Sequence, residues 1–302
     1  MIIRTQAWSR AGLIGNPSDG YFGKTISFSV RNYFAEAVLF ESPRLCIVPS
    51  QEDISEFGSV AALVTDVRRH GYYGGVRLIK AAIRRFSDYC GEQGKVLEDR
   101  NFTISYRSNI PRLVGMAGSS AIVTAAMKAL MRFYEVDIEK PLLANLILSV
   151  EKGELGIGAG LQDRVCQVYE GLVYMDFNEA RMRQAGYGIY EPLDPALLPP
   201  LYIAFDPDRA EGSEVFHNRV RTLFEQGDPK VVDAMKEFAG LAESCRRLLL
   251  DGRGREIGPL MNRNFDLRCT IYNIDEKNKR MIRTARSAGA SAKFTGSGGC
   301  IV

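Results

Sequence analysis

The chain predicts an α+β fold, and three observations carry the prediction. Short β-branched and aromatic runs crowd the first 50 residues, punctuated by Gly12, Gly15, Pro17 and Gly20. Segments with apolar residues at helical spacing follow from Gly75 onward. The C-terminal part is mostly helical in pattern and closes on KFTGSGGCIV, a glycine-rich turn leading into a strand.

In order along the chain, Ile2 to Trp8 and Thr25 to Val30 read as strands. Tyr33 to Leu39 and Arg44 to Val48 follow as two more, separated by Glu41, Ser42 and Pro43. Gly75 to Cys90 carries apolar residues at Val76, Ile79, Ala82, Ile83 and Phe86, one stripe of a helix. Phe102 to Arg107 alternates like a strand and enters the segment IPRLVGMAGSSAIV. Val123, Ala126, Met127, Leu130 and Phe133 mark the buried face of the next helix. A second apolar helix, Pro141 to Lys152, delivers Glu151 near its C-terminal end, and LVYMDF after Gly171 reads as a strand. The proline-rich stretch Pro192 to Pro200 precedes a strand-like run, LYIAFD, and a domain boundary is expected near residue 195, dividing 1–195 from 196–302. Helices are expected at Ser213 to Gln226, Val231 to Asp251 and Asp275 to Gly289.

Composition narrows the chemistry. With 302 residues, 46% of them hydrophobic and 25% charged, the chain is long enough for a substantial core. A net charge of +3 from 39 basic and 36 acidic residues gives no argument for a nucleic-acid or membrane partner. There is no apolar run of about 18 residues and no secretory leader pattern at the N-terminus. The six scattered cysteines lack a Cys-x-x-Cys pair, which points to reduced thiols and a cytoplasmic setting. The only histidines, His70 and His217, are not in zinc-site spacing, so acid–base work would fall to carboxylates.

The junction from Ile110 to Tyr134 concentrates the functional signal. Gly115 and Gly118 leave the backbone without Cβ atoms, so amide groups can close on a bulky anion. The first amides and the positive dipole end of the following helix face the same place. Ser119 and Ser120 can either cap that helix or reach a phosphate-bound cation.

Three ordered segments, RAGLIGNPSDGYFG, PRLVGMAGSSA and KFTGSGGC, with ELGIGAGLQDRVCQVYEGLVYMDF between the last two, resemble the GHMP kinases. The resemblance implies a two-domain fold: an N-terminal domain like domain 2 of ribosomal protein S5 and a ferredoxin-like C-terminal one. Because the chain stops just after the third glycine turn, where members usually continue, that second domain is expected to be incomplete, with an exposed sheet edge. It implies phosphorylation of a small-molecule alcohol by ATP with Mg²⁺. Gly115, Ala117, Gly118, Ser119, Ser120 and Ala121 would then wrap the ATP phosphates. Ser120 would match the family's magnesium-binding serine and Glu151 a second ligand, an arrangement that suits an octahedral cation. Asp163 would face the substrate hydroxyl, and Arg10 would hold that carboxylate ionised. After Gly158 and Gly160, Asp163 also reads as a helix-cap aspartate, and the two roles are compatible.

The wording RAGLIGNPSDGYFGKTI, AGLQDRVCQVYEGLVYMDF and NRNFDLR is most similar to members that phosphorylate the anomeric hydroxyl of glucuronate. A substrate carboxylate calls for a guanidinium, with Arg31, Arg263 and Arg268 as candidates. Asp19, Tyr21 and Lys24 would meet sugar hydroxyls, and the turn Gly71 to Gly75 would border adenine or serve simply as a turn. Another uronate, arabinose, a heptose phosphate or a mevalonate-type acid remains open as substrate, as does a non-catalytic sugar sensor. Two departures qualify the match. The glycine–serine loop is one residue longer than the family's common signature, and Asn16-Pro17-Ser18-Asp19 replaces the Glu-His-x-Asp of galactokinases, which argues against galactose.

Overall fold

A computed structural model describes residues 1–53, 58–61, 63–65, 74–206 and 214–302. The predicted α+β class holds, and the sequence reading falls short mainly in where elements end. Strand β1 runs from Ile2 to Ile14, straight through Gly12, because the amide of Gly12 donates to Thr295 O at 2.8 Å and keeps the backbone extended. Strand β2, Lys24–Glu41, joins two expected strands into one of 18 residues. The exposed pair Arg31 and Asn32 between them contains neither Gly nor Pro, so nothing there turns the chain.

The chain divides into two compact units that are discontinuous in sequence, in contrast to the contiguous division expected near residue 195. The first comprises residues 1–9, 30–112 and 117–168; the second comprises 10–29, 113–116 and 169–302. The discontinuity arises because β1 and β2 each contribute one part to either unit.

In the first unit the later part of β2 pairs antiparallel with β4, Phe102–Ser108, in the register Ala35↔Ser108 to Glu41↔Phe102. The short strand β3, Cys46–Val48, adds in parallel to β4. Helix α1, Gly75–Glu92, buries Leu78, Ile79, Ala82, Phe86 and Cys90 on one stripe. It packs on α2, Gly118–Phe133, which is buried along almost its whole length. Val123, Ala126, Met127, Leu130 and Phe133 lie inside, as their spacing requires. Phe133 meets Phe102 edge-on with ring centroids 5.3 Å apart. Helix α3, Lys140–Ser149, continues into a single π-helical turn, Val150–Glu154, and α4 spans Leu161–Tyr169. Asp53 accepts from the amide of Gly75 at 2.7 Å, fixing the start of α1. Residues 71–73 of the supposed adenine-bordering turn, and His70, lie outside the described residues.

In the second unit the early part of β2 pairs antiparallel with β5, Leu172–Asp176, which in turn pairs with β6, Ile189–Leu193. The run LYIAFD contributes only Ala204–Phe205 as a strand, β7, which pairs with β8, Cys300–Ile301. Helices α5, Glu179–Ala185, α6, Glu214–Glu225, α7, Pro229–Leu250, α8, Gly258–Ile271, and α9, Glu276–Ser287, complete the unit. The core gathers Val231, Met235, Phe238, Phe265, Tyr272, Ile282 and Phe294. Helix α8 escaped the sequence reading for a physical reason. Its buried positions are Met261, Asn264, Phe265, Leu267 and Arg268, and two of the five are polar, which interrupts any apolar stripe. No helix among the described residues is long and apolar enough to cross a membrane.

Candidate active site

The glycine–serine loop reaches α2 through three left-handed residues at alternate positions, Leu113 at φ 56°, Gly115 at φ 72° and Ala117 at φ 61°. Alternation of this kind turns amide groups toward one side and makes anion-binding concavities. For Ala117 the left-handed conformation costs about 1–3 kcal/mol and must be held by its surroundings. Gln167 in α4 does this, its Nε2 donating to Ala117 O at 2.8 Å. Helix α2 thus begins at Gly118 with its first-turn amides at the open end. The amide of Ala121 donates to Ala117 O at 3.2 Å, so Ala121, expected among the phosphate contacts, spends its N–H inside the helix.

Around Glu151 the structure assembles a buried polar cluster. The π-helical turn at Val150–Glu154 rotates Glu151 inward to zero exposure; such turns recur at functional sites. Ser119 Oγ donates to Glu151 Oε1 at 2.7 Å. Arg164 donates to Glu151 Oε2 through Nε at 2.8 Å and through Nη2 as well. Its Nη1 donates to Gly160 O at 2.8 Å and lies 3.4 Å from Asp163 Oδ2. One guanidinium therefore bridges the carboxylate expected to hold metal and the carboxylate expected to face the substrate. Asp163 itself sits in the first turn of α4, two residues inside the helix, with its side chain 21% exposed.

The serine on Glu151 is Ser119, one position before the serine expected to bind metal. Ser120 is fully buried and its hydroxyl donates to Ala117 O at 3.1 Å, whereas Ser119 is the serine on Glu151. Left-handed Ala117 sets the phase of the first helical turn and so decides which hydroxyl faces the π-helical turn that carries Glu151. Octahedral Mg²⁺ at 2.0–2.1 Å from its ligands has adjacent oxygens about 2.9 Å apart. The Ser119–Glu151 oxygen pair at 2.7 Å fits such an edge. Among the described residues no group of three or more His, Cys, Asp or Glu could hold a metal ion, so phosphate and water would supply the remaining ligands. Ser119→Ala is accordingly expected to raise the Mg²⁺ concentration for half-maximal activity about tenfold, and Ser120→Ala less than threefold, one tenfold step being about 1.4 kcal/mol. Magnesium titrations of both variants check this, and the reverse order would return the ligand role to Ser120.

In the second unit Arg10 is buried at 4% exposure, and its Nη1 donates to Thr295 O and, at 3.4 Å, to Gly115 O. It therefore ties the central loop to the C-terminal glycine turn. Gly115 and Gly296 meet backbone to backbone: a Cβ on Gly296 would stand 2.4 Å from Gly115 O. Two of the three sequence motifs are thus joined where only glycine fits.

Asp19 and Tyr21 lie together in a short 3₁₀ turn, Ser18–Tyr21. The Tyr21 ring meets Phe224 edge-on with centroids 4.9 Å apart, and burial pushes its hydroxyl pKa up. The charge of Asp19 acts on both Tyr21 and Arg268. The other four expected substrate residues have the following protein contacts. Arg268 is buried and donates to Gly296 O at 2.9 Å and Ser297 O at 3.2 Å, so it braces the glycine turn. Arg263 pairs with Glu237 at 2.5 Å on the exposed surface. Lys24 is held by Glu243 at 2.9 Å and Asp176 at 3.4 Å. Arg31, in the first unit, is exposed and lies over the Trp8 ring at 5.9 Å.

Sequence reasoning missed Arg164, Gln167, Asn264 and Lys293. Asn264 accepts from Gly15 N at 2.7 Å and donates to Asn16 O at 3.1 Å. Lys293 is buried, donates to Gly12 O at 2.8 Å and Asn16 Oδ1 at 2.6 Å, and burial pushes its pKa well down. Together they hold the N-terminal motif in place. The signal available was their position inside the quoted segments; their partners lie too far along the chain for spacing to reveal.

A profile of the GHMP kinases N terminal domain matches residues 77–171. The chain is 46% identical over all its length to "Probable glucuronokinase 2" of Arabidopsis thaliana, covering 84% of that protein. It is 44% identical over 99% of its length to "Glucuronokinase 1" of the same plant, again covering 84%. Among solved structures, the mevalonate kinase of Methanococcus jannaschii superposes with a TM-score of 0.69 at 20% identity, over all of this chain and 89% of that one.

Proposed function

Because the chain belongs to the GHMP kinase family, we propose that it transfers the γ-phosphoryl group of ATP to the anomeric hydroxyl of glucuronate, giving glucuronate 1-phosphate and ADP. The observation that carries this is the 46% and 44% identity, sustained along the whole chain, to two proteins named as glucuronokinases.

The local chemistry supports each step. The first amides of α2, at Gly118, Ser119 and Ser120, present partial positive charge where phosphate oxygens bind. Mg²⁺, held by Glu151 and Ser119 with phosphate oxygens and water, would neutralise charge on the transferring group. Asp163 accepts the proton of the attacking hydroxyl, with Arg164 keeping a positive charge at its side. Phosphoryl transfer depends on positioning and charge neutralisation more than on covalent chemistry, so one aligned carboxylate suffices. Asp19 and Tyr21 are assigned to sugar hydroxyls; Lys24, Arg263 and Arg268 are left with structural roles. Arg10 is assigned the task of holding the central glycine loop. Balanced charge and scattered cysteines support a cytoplasmic enzyme whose partners are its small-molecule substrates.

A panel of glucuronate, galacturonate, arabinose, heptose 7-phosphate and mevalonate, read by ADP release, tests the assignment. Glucuronate is expected to exceed every other member in kcat/KM by about tenfold or more, equivalent to about 1.4 kcal/mol. Methyl glucuronoside, whose anomeric hydroxyl is blocked, is expected to give no turnover. Preference for mevalonate, or turnover of the blocked sugar, would overturn it.

A further inference from the structure

Arg164 is a buried cation that no expectation from sequence used, with its side chain at 4% exposure beside a fully buried Glu151. We propose that it is a positioning residue that limits Glu151 to one-oxygen metal ligation, and so selects Mg²⁺ over larger divalent cations. The inference rests on the proposed role of Glu151 as metal ligand.

The geometry runs as a count of lone pairs. Each carboxylate oxygen can accept about two hydrogen bonds. Oε2 of Glu151 accepts from both Nε and Nη2 of Arg164, which fills it. Among the described residues Oε1 accepts from Ser119 Oγ alone, at 2.7 Å, and keeps one position open. A cation arriving at this carboxylate therefore meets a single available oxygen. Magnesium, with six ligands at short distance and a tendency to retain water, is satisfied by monodentate carboxylate. Calcium takes six to eight ligands and gains from a bidentate carboxylate. The guanidinium blocks the bidentate mode directly. Its own place is over-determined, because Nη1 is held by Gly160 O at 2.8 Å and faces Asp163 Oδ2 at 3.4 Å. Glu151 is therefore fixed from one side by α4 and from the other by Ser119 of α2, with little freedom to rotate and offer its second oxygen.

Arg164→Gln would release Oε2, while Arg164→Lys would keep the buried charge but lose the two-pronged grip. The test is calorimetric binding of a non-hydrolysable ATP analogue to the full-length protein and both variants, in Mg²⁺ and in Ca²⁺, with a thermal melt of each. For the parent protein, tighter binding in Mg²⁺ than in Ca²⁺ is expected. In the Gln variant the Mg²⁺/Ca²⁺ affinity ratio is expected to fall at least tenfold, mostly through improved Ca²⁺ binding. If the Gln variant does not fold, the Lys variant carries the test, with a fall of at least threefold. Unchanged ratios in folded variants of a metal-responsive parent would overturn the inference alone. Indifference of the parent to both cations would overturn the metal role of Glu151 and the inference with it.

Discussion

Replacing Asp163 by asparagine is expected to lower kcat about a thousandfold, within the 10²–10⁴ range typical of a positioned general base, while the affinity for a non-hydrolysable ATP analogue changes less than about threefold, a difference below about 0.7 kcal/mol. Asparagine keeps the size and the hydrogen-bonding oxygen of aspartate but cannot take up a proton at neutral pH. The thousandfold loss corresponds to about 4 kcal/mol of transition-state stabilisation. Nucleotide binding should survive because the side chain belongs to α4, 21% exposed, whereas the phosphates are assigned to the amides at the start of α2. The neighbour to watch is Arg164, 3.4 Å from Asp163 Oδ2, but its stronger partner is Glu151, so its position should hold. Steady-state kinetics with calorimetric binding distinguish the two effects. A variant retaining more than a tenth of the parent kcat would remove Asp163 from the chemical step.

The second large effect concerns stability. Glu151→Gln would leave Arg164, with its side chain 4% exposed, without its principal counter-charge. Breaking a buried ion pair from one side typically costs about 3–5 kcal/mol, because the remaining charge is stranded away from water. Here about 3 kcal/mol is expected, since Gln keeps one acceptor oxygen and Asp163 lies 3.4 Å from the same guanidinium. At about 2–4 °C per kcal/mol for proteins of this size, the melting midpoint should fall roughly 10 °C. Adding Arg164→Gln to the same chain should recover about half of that loss, because no stranded charge is left; non-additivity of this kind marks directly interacting residues. Thermal melts of the two single variants and the double variant measure it. A Glu151→Gln midpoint within 2 °C of the parent, against roughly 10 °C expected, would show that the pair is not buried in solution as it is here.

Much of the site was legible in the residues themselves. Glycines and serines ahead of an apolar helix carry their own chemistry, since free amides, small side chains and a helix dipole attract an anion whatever surrounds them. Glu151 and Asp163 were singled out only through the resemblance to the GHMP kinases, and the structure sets both beside Arg164. The lists of contacts were less so. Of the arginines chosen for a substrate carboxylate, Arg268 is spent on the carbonyls of Gly296 and Ser297, and Arg263 on Glu237. A guanidinium reads the same in sequence whether it meets a ligand, a carbonyl or a neighbouring carboxylate.

Local pattern alone determined the α+β class, the apolar faces of α1 and α2, and the start of α2 at the glycine–serine loop, because each depends on residues within a few positions of one another. Whether Ser119 or Ser120 meets Glu151 was decided by the left-handed turn at Ala117, which Gln167 holds from 50 residues away. The 13-residue separation of Arg164 from Glu151, and the 281-residue separation of Lys293 from Gly12, likewise leave no periodic trace. Buried polar groups must find partners wherever the fold supplies them, so these contacts belong to tertiary structure and could be read only there.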